Sequence, residues 1–184
     1  MTQPAQPPSK IVCKTPLIGI VGWKDSGKTT LAVGLVRELT GRGLRVSTLK
    51  HAHHSLRLDD EETDSARHRR AGAGQVAVVS TLRWALISET PLGIEPDFAD
   101  VIGMLDPCDL IVVEGYKSQP IPKIEARRRG AASLRPLSEH DQNVVAIASD
   151  QAHPEAGIPV FRLDDIASIA DFVVEKFHLF QRGA

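Results

Sequence analysis

Two kinds of hydrophobic pattern alternate along this chain. Short apolar runs, such as Leu17–Val21 and Leu110–Val113, have the length and branching of buried strands. Elsewhere apolar residues recur every three or four positions, as at Leu31, Leu35 and Leu39, and this spacing predicts a helix. Strands that alternate with helices in this way predict an α/β fold with a mainly parallel sheet and right-handed crossovers.

The same patterns give approximate bounds for the predicted elements. Strands are predicted over residues 17–21, 44–49, 75–80, 83–88, 109–114, 122–126, 144–148 and 159–163, and helices over residues 31–40, 96–105 and 164–177. The runs at 75–80 and 83–88 are interpreted as neighbouring strands, with Trp84 as a core or interface residue. Residues 1–15 are predicted to form a flexible tail and residues 16–184 a single domain.

The stretch after the first strand carries the strongest chemical signal. Its glycines allow a backbone tight enough for successive N–H groups to face phosphate oxygens, and the positive end of the next helix adds to that field. Lys28 is expected to reach the β- and γ-phosphates, and the Thr29 hydroxyl to complete a Mg²⁺ shell. The predicted nucleotide-binding residues are Gly22, Trp23, Lys24, Asp25, Ser26, Gly27, Lys28, Thr29 and Thr30.

A carboxylate ends a second buried strand. Glu114 follows four apolar residues and precedes Gly115, which is where a phosphate-loop protein places the acid that faces its metal ion. We therefore predict Glu114 as a direct or water-mediated Mg²⁺ ligand that could orient an attacking water, with Lys28 as the second catalytic residue. Lys117 follows at the same edge, either to contact a phosphate or second anionic substrate, or as an exposed lysine without a specific role.

Asp150 follows the apolar strand predicted over residues 144–148. A carboxylate there can accept hydrogen bonds from both N1–H and the exocyclic amino group of guanine, a pair that adenine lacks. The usual guanine-recognition motif places asparagine and lysine before the aspartate, whereas Ile147 and Ala148 stand here. The predicted preference for guanine therefore depends on Asp150 alone.

Three histidines, His51, His53 and His54, follow the second strand. On an extended segment His51 and His53 share one face while His54 points away, which argues against a single metal ion bound by all three. A ligand-binding loop at the carboxyl end of a strand is preferred, and a metal site or a solvated loop stays open.

An acidic block at residues 59–64 precedes a basic block at residues 67–70. Acids at the start and bases at the end of a short helix suit the helix dipole. Alternatively, an acidic residue just after the second strand could reach Mg²⁺ directly or through water, and Arg67 and Arg69 could contact an anionic ligand. Asp64, Arg67 and Arg69 are therefore candidate substrate-binding residues. Both interpretations stay open.

Composition narrows the class of protein. The chain has 184 residues, 42% of them hydrophobic and 24% charged, which is ordinary for a globular protein. Its net charge of -1 gives no overall attraction to nucleic acid or anionic membranes, and no apolar run is long enough to span a bilayer. Cys13 and Cys108 lack metal-type spacing and are interpreted as reduced thiols, and the first ten residues lack the apolar core of a secretory signal. We therefore expect a cytoplasmic protein.

Taken together, these motifs resemble the MobB family of molybdopterin-guanine dinucleotide biosynthesis accessory proteins. The resemblance extends over nearly the whole chain after the proline-rich tail. In place of the family's Pro-Gly-Lys turn before Asp64, this chain has Glu61-Glu62-Thr63, so any phosphate contact by that lysine is missing. The matching residues are Gly22 to Thr30, Lys50-His51, His53-His54, Asp64-Ser65, Arg67-His68-Arg69, Ala71-Gly72-Ala73, Glu114-Gly115-Tyr116-Lys117 and Asp150.

The resemblance implies a three-layer P-loop NTPase fold that binds GTP with Mg²⁺ and hydrolyses GTP slowly, in a homodimer. Such a protein would assist a separate, MobA-like molybdenum cofactor guanylyltransferase that joins GMP to molybdopterin, without acting on nucleic acid. Three alternatives use the same loop: a small-molecule kinase, a GTPase that delivers metal through the histidine loop, and an adaptor whose nucleotide is only structural.

Overall fold

The computed structural model describes residues 14–52, 63–90, 94–133, 135–153 and 156–181. They fall into two compact units, one from residues 1–51 and 102–184 and the other from residues 52–101. The predicted tail lies almost wholly outside the described residues, and the single domain over 16–184 stays a prediction. None of the described helices is long and apolar enough to cross a membrane.

The helices and strands follow the predicted order, with boundaries that differ by at most three residues. The strands are β1 (Leu17–Val21), β2 (Val46–Lys50), β3 (Gln75–Val79), β4 (Trp84–Ser88), β5 (Leu110–Glu114), β6 (Lys123–Arg127), β7 (Val144–Ser149) and β8 (Val160–Arg162). The helices are α1 (Lys28–Gly41), α2 (Asp64–Arg70), α3 (Phe98–Gly103) and α4 (Ile166–Phe177), followed by a 3₁₀ turn at Leu179–Gln181.

The first unit contains a six-stranded sheet in the order β2-β5-β1-β6-β7-β8, and every pairing in it is parallel. The prediction of an α/β fold with a mainly parallel sheet is therefore confirmed. The carboxyl ends of parallel strands meet at one edge of a sheet. The register places Lys50 at the end of β2 beside Glu114 at the end of β5, next to the loop that follows β1.

Alternation along the central strands produces the main core. Ile18, Ile20, Leu110 and Val112 share one face of the sheet and are fully buried with apolar residues of α1 and α4, such as Leu35. Full burial of one such side chain stabilises the fold by about 1.5–3 kcal/mol. This core fixes α1 against β1 and so holds the loop between them in place.

The second unit contains α2 and an antiparallel hairpin of β3 and β4. Thr63 caps α2 by accepting a hydrogen bond from the N–H of Ala66. The interpretation of residues 75–88 as two neighbouring strands is confirmed. The interpretation of Trp84 as a core residue is wrong, because Trp84 is 69% exposed.

Candidate functional site

The loop between β1 and α1 has a tight backbone that its sequence explains. Gly22 has a φ of 152°, and a Cβ there would lie 2.5 Å from the Ala126 carbonyl oxygen and closer still to Ser26 Oγ. Asp25 and Gly27 also have positive φ, at 64° and 90°. Glycine adopts this conformation without a steric penalty, and aspartate is one of the few other residues that tolerate it.

The first turn of α1 presents free backbone donors. Its first helical hydrogen bond runs from the Leu31 N–H to the Gly27 carbonyl, at 2.9 Å. Gly27 caps the helix without a side-chain acceptor, and no described residue accepts a hydrogen bond from the N–H groups of Lys28, Thr29 or Thr30. Unpaired N–H groups at the positive end of a helix form a site suited to an anion.

Lys28 lies folded over this loop, where its Nζ donates a hydrogen bond of 2.6 Å to the Trp23 carbonyl. Burial lowers the pKa of Lys28, as does repulsion from the Lys117 ammonium, while the Glu114 and Asp25 carboxylates act in the opposite direction. An anion between the two ammonium groups would relieve their repulsion.

Thr29, Glu114 and Lys50 form a cluster beside the loop. The Thr29 hydroxyl donates a 2.5 Å hydrogen bond to Glu114 Oε1, and Lys50 Nζ lies 3.2 Å from the same oxygen. A hydroxyl and a carboxylate are oxygen ligands of the kind that Mg²⁺ prefers. The two predicted metal ligands therefore lie together, and the donors present suit this ion.

Trp23 and Lys117 meet on the other side of Lys28. Lys117 Nζ lies 4.1 Å from the centroid of the Trp23 ring, within the range of a cation–π interaction, and the Trp23 indole N–H donates to the Arg135 carbonyl at 2.7 Å. Burial lowers the pKa of Lys117, against an opposing effect of Glu125. The fold therefore brings the predicted substrate residue Lys117 to the phosphate loop.

Of the three predicted histidines, only His51 lies within the described residues. Its ring stacks on Tyr116 at a centroid distance of 4.5 Å, and the backbone N–H of His51 donates to the Glu114 carbonyl at 2.9 Å. The part of the chain that the structure describes contains no cluster of three or more histidine, cysteine or acidic side chains that could hold a metal ion. His53 and His54 lie outside that part, so the metal hypothesis stays untested.

The charged residues predicted on α2 lie in the second unit and have partners there. Asp64 accepts from Arg67 at 3.4 Å, and Arg69 pairs with Glu89 at 3.0 Å. Asp64 lies in the first turn of α2 and the arginines in its last turn, as the helix-dipole interpretation expects. Their contact with an anionic ligand stays a prediction.

Asp150, the predicted guanine-binding residue, lines the same cavity as the start of α1. Both of its carboxylate oxygens accept from the Arg129 N–H, at 3.1 and 3.2 Å. The cavity, of about 1330 Å³, is also lined by Gly27, Thr29 and Thr30. It exceeds the usual volume of a small-molecule site, roughly 300–1,000 Å³, so its size does not restrict a nucleoside triphosphate.

The sequence did not predict a buried polar network behind the loop. Glu125 is 1% exposed and accepts from the N–H groups of Leu137 and Ser138, at 2.8 and 3.0 Å, and from Arg127 Nη2 at 2.9 Å. Arg127 is the last residue of β6, one residue beyond the strand that was predicted over residues 122–126. The alternation of Lys123, Glu125 and Arg127 places three charges on one face of a buried strand. This alternation is the only feature of the sequence that indicates the network.

Two buried polar atoms next to this network, Ser26 Oγ and Arg127 Nε, have no hydrogen-bond partner among the described residues. Both residues line a second cavity of about 70 Å³, beside Trp23. A volume of this size holds about two water molecules, which can satisfy buried polar groups. The network and Ser26 of the phosphate loop therefore line the same small cavity.

Comparisons with known proteins identify the family of this chain. The family model described as "MobB: Molybdopterin guanine dinucleotide synthesis protein B" matches residues 17–150. A molybdopterin-guanine dinucleotide biosynthesis adapter protein from Haemophilus influenzae is 40% identical over 90% of this chain and 91% of its own length. A protein of the same name from Escherichia coli is 39% identical, over 87% of this chain and 92% of its own length.

Solved structures give the same result for the fold. The crystal structure of Bacillus subtilis MobB superposes with a TM-score of 0.72 at 26% identity, covering 88% of this chain and 97% of that one. A crystal structure of molybdopterin-guanine biosynthesis protein B gives 0.68 at the same identity, covering 88% of this chain and 99% of that one. The architecture is of the P-loop NTPase type, and the chain belongs to the MobB family.

Proposed function

We propose that this chain is a GTP-binding accessory protein of molybdopterin guanine dinucleotide biosynthesis, with slow GTPase activity, that supports a separate guanylyltransferase. The observation that carries the proposal is the first turn of α1, where unpaired N–H groups, Lys28 and the Thr29–Glu114 pair converge. The adapter names of the relatives support the pathway.

Different residues of the loop would contact different parts of a bound triphosphate. The N–H groups of Lys28, Thr29 and Thr30 would donate to phosphate oxygens, and the Lys28 ammonium would turn from the Trp23 carbonyl to the β- and γ-phosphates. Thr29 and Glu114 would hold Mg²⁺, which neutralises charge on the transferred phosphoryl group when bound.

Hydrolysis would depend on positioning and charge, because no described residue near the loop is placed as a free general base. The Glu114 carboxylate, our candidate for orienting a water, already accepts from Thr29 and pairs with Lys50. We therefore expect turnover far below the roughly 1–1,000 per second of typical enzymes.

We further propose that this chain acts in the cytoplasm with three partners: molybdopterin, the guanylyltransferase and a second copy of the chain. The homodimer is supported by the β3–β4 hairpin, on one face of which the large apolar side chains of Val79, Trp84 and Leu86 are exposed. Exposed apolar clusters of this kind mark protein interfaces more often than isolated apolar residues do. The exposed residues are Val78, Val79, Leu82, Trp84 and Leu86.

A phosphate-release assay with GTP and Mg²⁺ tests the proposed activity. Wild-type protein should release free phosphate slowly, and Glu114→Gln should slow this release at least tenfold, since the carboxylate no longer holds metal or water. Lys176→Gln, at an exposed end of α4, serves as the control. Transfer of phosphate to an added pterin, instead of to water, would support the kinase alternative and contradict the proposal.

Adding the guanylyltransferase and molybdopterin tests the accessory role. The wild-type chain should increase the yield of molybdopterin guanine dinucleotide, whereas Glu114→Gln should not. If Glu114→Gln supports the transferase fully, the nucleotide is only structural, and the part of the proposal that concerns hydrolysis is wrong.

A further inference from the structure

Lys50 is a charged residue of the site to which the phosphate-loop motif gives no role. It is the last residue of β2, in register with Glu114 on β5. Its Nζ lies 3.2 Å from Glu114 Oε1 and 3.3 Å from Thr29 Oγ1, and these two oxygens are themselves 2.5 Å apart. The ammonium therefore contacts both oxygens to which we assign the metal ion.

An ammonium group and a divalent cation use the same lone pairs on these oxygens. Glu114 Oε1 cannot bind both cations as strongly as it binds either one alone. We infer that Lys50 is an internal cation that competes with the divalent metal for Thr29 and Glu114. This inference rests on the proposed binding of GTP with Mg²⁺.

The exposure of the Lys50 and Glu114 side chains determines which of them moves when metal binds. The Lys50 side chain is 57% exposed, whereas that of Glu114 is 13% exposed. A long exposed lysine exchanges an ion pair for water at little cost, whereas a largely buried carboxylate needs a counter-charge. Loading of metal should therefore displace Lys50, and Glu114 should stay in place with a cation beside it in either case.

The pair also affects the nucleotide. A triphosphate at the start of α1 would lie close to Glu114, whose negative charge would repel it if uncompensated. Lys50 compensates that charge when divalent metal is absent. The lysine should thus help GTP to bind without metal and hinder its binding with metal, two opposite effects of one side chain.

These opposite effects can be measured as one ratio. The dissociation constant of a non-hydrolysable GTP analogue is determined calorimetrically, once in EDTA and once in saturating Mg²⁺. For Lys50→Met we expect binding about threefold to fivefold weaker in EDTA and tighter by a similar factor in Mg²⁺, since exposed ion pairs have energies of this order. The ratio of the dissociation constant in EDTA to that in Mg²⁺ should then rise about tenfold to twenty-fivefold.

Two further variants serve as controls. Lys50→Arg keeps the charge and should stay close to the wild-type ratio, and Lys176→Met removes an exposed lysine at the end of α4 and should not change it. A merely structural role of Lys50 predicts that Lys50→Met weakens binding equally in both conditions. An unchanged ratio for that variant would overturn the inference.

The experiment separates this inference from the function on which it rests. If wild-type protein binds no analogue in either condition, the proposed function fails and the inference fails with it. If wild-type protein binds the analogue but Lys50→Met leaves the ratio unchanged, only the competition between Lys50 and metal is wrong.

Discussion

At the scale of single residues, the phosphate loop depends on close contacts that only small side chains permit. Gly22 lies against Ser26 Oγ and the Ala126 carbonyl, and Lys123 packs so closely on Gly19 that a Cβ there would lie 2.9 Å from its Cγ. The sequence motif predicted the need for Gly22. No motif in the sequence predicted the need for Gly19, because its constraint comes from a neighbouring strand that is distant in sequence.

The crowding at Gly22 gives a prediction about stability. Gly22→Ala should lower the free energy of unfolding by about 1–3 kcal/mol, as overpacked sites do, because the new methyl group overlaps two neighbouring atoms. Urea denaturation measures this loss. As a control, Gly41→Ala at the open end of α1 has no atom within 4 Å of its new Cβ and should be neutral or stabilising. Equal midpoints for the two variants would contradict the steric argument.

The ion pair of Lys123 with Asp141 gives a second prediction. Lys123 is 1% exposed, and its Nζ lies 2.6 Å from Asp141 Oδ2. Because removal of one partner leaves a buried charge unpaired, Asp141→Asn should destabilise the fold by about 3 kcal/mol. Thermal and urea unfolding measure the loss, and Asp171→Asn, at an exposed ion pair with Arg42, should cost less than about 1 kcal/mol.

The same pair makes stability depend on pH. Burial alone would raise the pKa of Asp141, but hydrogen bonds from Lys123 and Asn143 outweigh burial and lower it. A lowered pKa means that the unfolded chain takes up the proton first. The contribution is therefore complete above the unfolded pKa of about 3.9 and is lost as the pH falls through the lower, folded value. Urea titrations measure the difference in free energy of unfolding between wild-type protein and Asp141→Asn. This difference should shrink as the pH falls through that acidic range, and a constant difference would contradict the assignment.

At the scale of elements, the periodicity of apolar residues predicted every strand of the parallel sheet and both long helices. It succeeded because these elements are buried on regular faces, as at Ile18, Ile20 and Val112. It also placed Lys28, Thr29 and Glu114 at one edge, since topology alone brings those ends together. Periodicity could not reveal the Glu125–Arg127 network, which depends on hydrogen bonds to a segment that begins ten residues later.

The prediction for Trp84 differs from the structure in the opposite direction: a residue expected in the core is exposed. A tryptophan within a strand is usually at least half buried, so a core or interface position was expected. Its 69% exposure in the chain leaves the interface interpretation, which the exposed apolar neighbours on the hairpin also favour.

The hairpin therefore makes a prediction about association. Trp84→Glu with Leu86→Glu should convert a homodimer into monomers, because buried charges of one sign, without partners, oppose association. Light scattering after size-exclusion chromatography measures the mass. Met104→Lys, at an isolated exposed residue, should leave the dimer intact. A wild-type monomer, or a double variant that stays dimeric, would contradict a second copy on this surface.

At the scale of the whole molecule, a net charge of -1 contrasts with the local charge of the site. Lys28, Lys50 and Lys117 lie near one another beside the first turn of α1. Burial lowers the pKa of Lys28, and the ammonium groups of Lys117 and Lys50 act in the same direction. The fold thus concentrates positive charge at the start of α1, where one anion can bind.

The most direct test of the account is a calorimetric titration of GTP with Mg²⁺ into wild-type protein and Lys28→Ala, with Lys176→Ala as the control. We predict one GTP per wild-type chain and the same affinity for the control. For Lys28→Ala we predict a loss of roughly tenfold to a hundredfold, as expected for a lost hydrogen bond to a charged group, with an unchanged melting temperature in the absence of nucleotide. If Lys28→Ala binds GTP as tightly as the wild-type protein, the triphosphate does not lie at the start of α1 and the account is wrong.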